Sequence, residues 1–403
     1  MCEVIVSAGV TSKLFSGGRL LCGAGGAKNG DVLVRGQRIV AIGATARREA
    51  KRDGALRIDL DGRYLTPGFV DLHTHGAVGV DFVTADRDAF ARSMEHYLKH
   101  GVTSLLVSLY PSTWKASLDV LRRVASYLRE GVGRGVAVGI HLEGPFLNPG
   151  RPGALPKRNF RACSTRDAAK LLEAGDGWVR TVTVAPELPR GRELVRYFLK
   201  HGVVPAFGHS LAGYKETCGG VDAGIRYATH LFNAMSGIHH RDPGAVTALL
   251  ENDDVDVEVI SDGEHISVPV LKMIHARKPP ERVILVSDSV HPCGLRDGEY
   301  EFAGAPVRLH KGTIQLPDGT LSGSALTMDR ALRVQVQSVG ASVDDAAMAC
   351  SANPARAIGL RSRGRLAVRA RADLAVLDEK LRVVGTWLGG EQVFSKSSFG
   401  ESL

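Results

Sequence analysis

The sequence lacks most features of secreted, membrane-embedded and disulfide-stabilised proteins. Its six cysteines are scattered along 403 residues without a Cys-x-x-Cys pair, which favours free thiols in a reducing compartment over a disulfide framework. No apolar run is as long as a membrane-spanning helix requires, and the chain begins without a basic leader followed by a long apolar segment. We therefore expect a cytoplasmic protein that does not bind a membrane.

Charge of one sign is not concentrated in any segment. The 51 Lys and Arg residues exceed the 43 Asp and Glu residues, for a formal net charge of +8, but the basic residues are dispersed rather than arranged in a stripe. A dispersed excess of positive charge does not indicate nucleic-acid binding. It fits a weak attraction for small anionic molecules at least as well. We predict no nucleic-acid partner.

The two ends of the chain resemble each other and differ from the middle. Both alternate short strand-like segments with DG, GQ or GG turn signals, and the chain contains no internal repeat or low-complexity linker. Such segments bury their apolar faces best against each other. We therefore predict a small β-sandwich domain built from residues 1–64 and 362–403, and a central domain of residues 65–361.

The central region contains eight short apolar runs of strand length, most of them separated by helical patterns that end in glycine. The runs cover residues 68–75, 102–111, 136–145, 180–187, 203–210, 227–233, 255–263 and 282–290. Eight β-α units predict an α/β fold, a (β/α)8 TIM barrel. A doubly wound sheet is the alternative, but no glycine-rich phosphate-binding fingerprint follows the first run.

Ionisable side chains recur where the predicted strands end, which is where TIM-barrel active sites form. The first run ends in His73 and His75, and side chains alternate along a strand, so both imidazoles point to one face. Other runs end in or lead to Glu143, His209, His230, Asp262, His265 and Asp288. Four histidines and one glutamate suit a borderline divalent metal, which predicts a metal site at the barrel mouth.

Asp288 has a separate role in this prediction. A carboxylate beside a divalent ion stays ionised and can accept a proton from water bound there, because the metal lowers the pKa of that water. The arrangement is typical of a metal-assisted hydrolase. Zinc and iron are the first candidates, but cobalt and manganese also suit such ligands.

Several longer motifs resemble those of the N-acetylglucosamine-6-phosphate deacetylase family within the amidohydrolase superfamily. The most specific are HLEGPF, which contains Glu143, and THLFNAM, which contains His230, whereas HxH marks only the superfamily. Others are LTPGFVDLHTHGAVGVDF, VTVAPE, AFGHS, DGEHI, LVSDS, LSGSALTM and NPARAIGL. The resemblance implies hydrolysis of the acetamide of N-acetyl-D-glucosamine 6-phosphate to D-glucosamine 6-phosphate and acetate.

The resemblance also implies roles for individual residues. Glu143 would replace the bridging modified lysine of other amidohydrolases. One metal would be held by Glu143, His209 and His230, and a second by His73, His75, Glu143 and Asp288. Asp288 would act as general base and then general acid, while His265 would polarise the acetyl carbonyl and stabilise the developing oxyanion.

The substrate contacts that the resemblance implies are spread over several segments. They are Ala154, Leu155, Asn233, Ala234, Arg241, His265, Leu321, Ser322 and Gly323. Arg241 would bind the phosphate in the site of a neighbouring subunit, because a planar guanidinium can donate two parallel hydrogen bonds to phosphate. The resemblance therefore implies a homodimer.

One segment departs from the family pattern. In RPGALPKR, Leu155 stands where relatives carry a histidine that contacts the sugar, and SDSVHPCG differs from the commoner TDAM. The sugar is therefore open, and N-acetylgalactosamine 6-phosphate is an alternative substrate. A cyclic amidase or deaminase is a second alternative, although the fourth run offers no lysine. A non-enzymatic scaffold is the third.

Overall fold

Eight parallel strands form a barrel at the centre of the molecule, as the sequence predicts. The computed structural model describes residues 12–21, 27–396 and 399. In chain order the barrel strands are Phe69–Thr74, Val102–Leu109, Ala137–Leu142, Val179–Val184, Val204–Phe207, Tyr227–Ala228, Asp256–Ile260 and Val283–Val286. Each pairs in parallel with the next along the chain, which is the strand order of a TIM barrel.

The barrel closes where its first and eighth strands end. Ser289 forms a parallel bridge with Thr74. The backbone N–H of His75 donates to the Ser289 carbonyl at 2.7 Å, and the N–H of Asp288 donates to the His73 carbonyl at 2.8 Å. This closure places Asp288 beside both histidines of the first strand.

Helices cover the outside of the barrel, and several begin at capped residues. The side chains of Asp86, Thr113 and Ser164 each accept a hydrogen bond from the backbone N–H three residues later. The helices that follow the first seven strands are Arg87–Lys99, Trp114–Arg129, Thr165–Ala174, Gly191–Lys200, Tyr214–Asp222, Gly244–Glu251 and Val268–Arg277. Three more, after the eighth strand, are Met328–Val334, Val343–Cys350 and Ala352–Ala357.

Shorter helical turns complete the covering layer. The 3-10 turns are Val132–Gly135, Lys157–Asn159 and Pro280–Arg282, and a π-helical turn spans Gln335–Val339. Within the described ranges, no helix has both the length and the apolar character needed to cross a bilayer.

Both ends of the chain contribute to a second sheet of eight strands. Seven of them follow the order Glu391–Ser395, Val383–Leu388, Leu374–Leu377, Tyr64–Pro67, Ser12–Leu20, Lys28–Arg35 and Arg38–Ile42, and the eighth, Leu56–Asp59, pairs with Ser12–Leu20. The helix Ala44–Asp53 packs on this sheet, and Trp387 meets Phe15 edge-to-face at 5.0 Å. The small domain from both ends is thus present. Its predicted boundaries at residues 64 and 362 stay a prediction, and the strand Tyr64–Pro67 spans the first of them.

An antiparallel sheet of four strands follows the eighth barrel strand and is not predicted by the sequence. Its strands are Gly298–Phe302, Ala305–His310, Thr313–Gln315 and Leu321–Ser324. Ser324 bridges to Ser289, so this sheet, termed the insert sheet, is joined directly to the closure of the barrel. A short hairpin pairs Gly76–Ala77 with Val80–Asp81 after the first barrel strand.

Candidate active site

The end of the first barrel strand carries two of the predicted metal ligands. His73 and His75 are two residues apart in extended backbone, so their rings share one face. Their Nε2 atoms are 3.2 Å apart, and each lies 3.5 Å from Oδ1 of Asp288. His73, His75 and Asp288, termed the first ligand group, offer donor atoms that all lie within 4.8 Å of one another.

Three other strands supply a second ligand group, which consists of Glu143, His209 and His230. Oε1 of Glu143 lies 3.1 Å from Nε2 of each histidine, and the two Nε2 atoms are 3.1 Å apart. All three side chains are buried. The structure therefore assembles the six predicted ligands into two neighbouring clusters.

Glu143 stands between the two ligand groups. Its Oε1 faces the second group and lies 3.5 Å from Nε2 of His73, whereas its Oε2 lies 3.3 Å from Nε2 of His75. One carboxylate can thus present an oxygen to each group. This geometry allows the bridging role that the sequence predicts for Glu143.

Hydrogen bonds on the far side of the rings orient three of the four imidazoles. Nδ1 of His73 donates to Oε2 of Glu258 at 3.0 Å. Nδ1 of His75 donates to the Ser108 carbonyl at 3.2 Å, and Nδ1 of His209 donates to the Arg151 carbonyl at 2.9 Å. Carbonyl and carboxylate oxygens can only accept, so the proton sits on Nδ1. In the neutral form of each ring, the lone pair therefore lies on Nε2 and points toward the ligand groups, as in metal-binding histidines.

The backbone is strained at three of the ligands. His209, His230 and Asp288 have φ angles of 48°, 27° and 47°, in the left-handed region that non-glycine residues rarely adopt. Such conformations cost about 1–3 kcal/mol each and cluster at functional sites. The bends after the fifth, sixth and eighth strands therefore direct these three side chains toward the ligand groups, and they cost local stability.

The ligand groups carry an excess of negative charge. Burial lowers the pKa of His73, but the charges of Asp288 and Glu258 and the hydrogen bonds with Glu143 and Glu258 outweigh it and raise that pKa well above its usual value. Burial raises the pKa of Glu143, but hydrogen bonds with the surrounding imidazoles lower it well below its usual value. Three buried carboxylates, those of Glu143, Glu258 and Asp288, require positive charge beside them.

This donor set fits a divalent metal. When both rings are neutral with the proton on Nδ1, the Nε2 lone pairs of His73 and His75 face each other across 3.2 Å, an arrangement that a cation between them would relieve. Imidazole nitrogen and carboxylate oxygen are ligands that zinc and ferrous iron accept. The chain therefore provides a site for a divalent metal, without selecting one metal by ligand type.

His265 adjoins the ligand groups, after the seventh strand. Its Nδ1 donates to Oδ2 of Asp262 at 2.7 Å. Burial lowers the pKa of His265, but the hydrogen bond and the charge of Asp262 outweigh it and raise that pKa. Because Asp262 occupies Nδ1, the Nε2 of His265 is available to a molecule in the cavity described next.

A cavity of about 280 Å³ opens in front of the ligand groups. Six predicted substrate-binding residues line it together with His265, and they are Ala154, Leu155, Asn233, Ala234, Leu321 and Gly323. Five of the ligands, His75, Glu143, His209, His230 and Asp288, also face it. A volume of this order suits a small molecule.

Two of the predicted substrate contacts do not line the cavity. Ser322 is buried beside it, and its Oγ has no hydrogen-bond partner among the described residues. Arg241 is exposed outside the cavity of its own chain, where its Nη1 lies 2.7 Å from Nε2 of His240. The contact predicted for Arg241 involves a second subunit and stays a prediction.

Five residues of the site were not predicted. Gly153 lines the cavity beside the predicted Ala154, and Val290, Phe302 and Thr320 line it from the insert sheet and the loops beside it. Glu258 lies in the seventh strand and hydrogen bonds to His73. Its signal in the sequence is an isolated carboxylate within the buried run VDVEVI, whereas the other four carry no periodic or chemical signal that links them to the barrel mouth.

Comparisons with known proteins match the chain along most of its length. The model of the amidohydrolase family matches residues 64–393. A human N-acetylglucosamine-6-phosphate deacetylase is 36% identical over 95% of this chain and 94% of its own length. An N-acetylgalactosamine-6-phosphate deacetylase of Escherichia coli O157:H7 is 31% identical over 82% of this chain and 88% of its own.

The fold of a solved relative is also similar throughout. It is an N-acetyl-D-glucosamine-6-phosphate deacetylase variant from Mycobacterium smegmatis, in complex with N-acetyl-D-glucosamine-6-phosphate. The two chains are 34% identical and superpose with a TM-score of 0.89, covering 96% of this chain and 100% of the other. The chain therefore belongs to the amidohydrolase family and, within it, to the N-acetylglucosamine-6-phosphate deacetylases.

Proposed function

We propose that the protein hydrolyses the acetamide of N-acetyl-D-glucosamine 6-phosphate to D-glucosamine 6-phosphate and acetate. The observation that carries this proposal is the joining of two ligand groups through Glu143, beside a cavity that Asp288 and His265 also line. Relatives of this name in several organisms match the chain over most of its length.

The two ligand groups would hold one or two divalent ions, with zinc or iron the first candidates and cobalt or manganese also suited. A bound ion would lower the pKa of a water molecule and polarise the acetyl carbonyl. The chain keeps the donor atoms in place through the hydrogen bonds of His73, His75 and His209 on the far side of their rings.

Asp288 is the proposed proton carrier. Its carboxylate lines the cavity, with Oδ1 at 3.5 Å from the Nε2 atoms of His73 and His75. It accepts a proton from the attacking water and then delivers it to the nitrogen of the breaking amide, because an amine cannot leave as an anion. One carboxylate thereby serves both steps.

His265 is the proposed donor to the acetyl oxygen. The bond from Nδ1 to Asp262 fixes the ring and leaves Nε2 for the substrate. Its raised pKa favours the protonated ring, which donates from both nitrogens. A donor fixed before the reaction stabilises negative charge as it develops on the oxygen.

The sugar phosphate would be held away from the reacting bond. Asn233, Ala234 and Leu155 line the cavity, and Arg241 would reach it from a second copy of the chain. Contacts remote from the reacting carbon position the amide for attack. We accordingly propose a homodimer located in the cytoplasm.

The galactose epimer is a second candidate substrate. Leu155 lines the cavity and packs in an apolar cluster with Val290 and Phe302, so it offers no hydrogen bond to a sugar hydroxyl. A relative 31% identical to this chain carries the name N-acetylgalactosamine-6-phosphate deacetylase. The same chemistry would then act on N-acetylgalactosamine 6-phosphate.

One assay tests these proposals together. Acetate release is measured with N-acetylglucosamine 6-phosphate, its galactose epimer and unphosphorylated N-acetylglucosamine, and bound metal is quantified in the same sample. We expect acetate from the gluco epimer, less from the unphosphorylated sugar, and at least one divalent ion per chain. Preference for the galacto epimer selects the second candidate, and ammonia release or the absence of acetate from all three contradicts both.

A further inference from the structure

We infer that Glu258 is a positioning residue that holds one histidine of each ligand group in the orientation needed for metal binding. This inference rests on the metal site of the proposed function. Glu258 lies on the seventh barrel strand, is only 1% exposed and lines no part of the cavity described above. It therefore acts on the site through the histidines rather than on the substrate.

The side chain of Glu258 accepts three hydrogen bonds. Its Oε2 receives Nδ1–H of His73 at 3.0 Å and the backbone N–H of His230 at 2.9 Å. Its Oε1 receives the hydroxyl of Tyr227 at 2.7 Å. One oxygen thus contacts the first ligand group through an imidazole and the second through the backbone.

The hydrogen bond from the backbone of His230 to Glu258 takes the place of a hydrogen bond that the His230 ring lacks among the described residues. Nδ1 of His230 is buried and has no hydrogen-bond partner among the described residues, unlike the Nδ1 atoms of the other three histidine ligands. The φ angle of 27° at His230 is strained. Glu258 makes a second contact with this backbone, because the main-chain carbonyl of Glu258 accepts the N–H of Leu231 at 2.9 Å. The backbone, rather than a ring hydrogen bond, therefore sets where the His230 ring points.

The contact with His73 acts through charge as well as direction. A carboxylate that accepts the outer N–H of a metal-binding imidazole fixes its tautomer and makes the ring a stronger donor to the metal. A carboxylate buried inside the barrel is costly unless such partners compensate it. Two of the three donors that compensate Glu258 belong to metal ligands, so the burial of this carboxylate is tied to the orientation of those ligands.

The strand itself offers a matched control. Asp256 is two residues before Glu258, so it lies on the same face of the strand, and it is also buried. Its carboxylate pairs with Arg356 at 2.7 Å and lies 3.5 Å from Arg282. Asp256→Asn therefore removes a buried charge from the same face without touching a ligand.

The test measures metal affinity on metal-stripped protein, by Zn²⁺ titration against a chromophoric chelator, with no substrate present. Glu258→Gln keeps an acceptor but removes the charge, and we expect roughly 10- to 100-fold weaker binding. Glu258→Leu removes the acceptors as well and should bind more weakly still. Asp256→Asn should stay near the wild-type affinity, and melting of each metal-free variant monitors folding.

The outcomes separate this inference from the proposed function. Unchanged zinc affinity in folded Glu258→Gln overturns the inference, as does an equal loss in Asp256→Asn. Weaker zinc binding in Glu258→Gln alone supports it, whatever sugar the enzyme prefers. A wild-type protein that binds zinc but releases no acetate overturns the proposed function and leaves the positioning role intact.

Discussion

Polar ligands carried on barrel strands form one side of the cavity, and an apolar wall joined to the insert sheet forms another. On the ligand side every metal ligand is buried, and three of the four imidazoles donate a hydrogen bond from Nδ1, on the side of the ring away from the ligand groups. On the other side Leu155, Val290 and Phe302 belong to a small apolar cluster that offers no hydrogen bond. The two sides are joined at the closure of the barrel, where Ser289 bridges to Ser324, and Phe302 faces the ring of His75 with the ring centroids 6.0 Å apart.

This difference separates reaction chemistry from substrate choice. Directional bonds to the barrel fix the ligands, and a displacement there would leave buried charges without partners. The wall depends on non-directional packing, which tolerates substitutions of similar volume. We therefore expect changes on the ligand side to abolish turnover, and changes on the wall to alter which sugar is preferred.

The largest effect is expected from Asp288→Asn. Asparagine keeps the size of the side chain but cannot accept a proton, so kcat should fall about 10²- to 10⁴-fold. Acetate release measures the loss, and metal content on the same sample should stay near that of the wild type. Turnover close to the wild-type rate would show that another group carries the proton.

Arg241→Ala should have the next largest effect, and only on phosphorylated substrates. Loss of a charge-assisted contact to phosphate should raise KM roughly 10-fold or more while slow turnover of unphosphorylated N-acetylglucosamine is unchanged. Steady-state kinetics on both sugars measure this, and sedimentation of the variant checks the homodimer. An equal loss on both sugars contradicts a phosphate contact.

Leu155→His should move the preference between epimers rather than the rate. A ring nitrogen on the apolar wall can hydrogen bond to a sugar hydroxyl, so the ratio of kcat/KM for the two epimers should change roughly 3- to 10-fold. Leu155→Ala is the control, since it removes packing without adding a donor. Equal shifts for both epimers in Leu155→His would exclude a role for this wall in sugar choice.

Asp329→Asn should leave activity unchanged and affect only stability. Asp329 follows the insert sheet and accepts hydrogen bonds from His100 at 3.0 Å and Arg333 at 2.7 Å. Burial raises the pKa of Asp329, but the hydrogen bond and charge of His100 and the charge of Arg333 outweigh it and lower that pKa. The variant should lose about 2 kcal/mol of unfolding free energy at neutral pH.

The sign of the pH dependence follows from that lowered pKa. The stabilisation is present above the unfolded pKa of about 4 and is lost as the pH falls from there through the lower folded value. Denaturation of wild type and Asp329→Asn should therefore differ at pH 7 and converge in acid. A difference that does not change with pH would mean that the ion pairs of Asp329 contribute nothing.

The barrel and its ligands were predictable because both depend on local periodicity. Eight apolar runs mark the strands, and His73 and His75 follow the alternation of a strand end. The insert sheet was missed because nothing in residues 298–324 ties that segment to the barrel mouth. Glu258 was missed because its partner His73 lies 185 positions away, so only folding reveals the contact.

The closure of the barrel links metal binding to the stability of the fold. The hydrogen bonds of His75 and Asp288 that join the first strand to the eighth come from residues of the first ligand group. An ion bound by this group would connect the ends of the first and eighth strands, in addition to serving the reaction. A ligand that binds only the closed form stabilises it by mass action. Metal binding would therefore add stability to the closed barrel as well as supply the chemistry of the site, and loss of the metal would remove that added stability where the first and eighth strands meet.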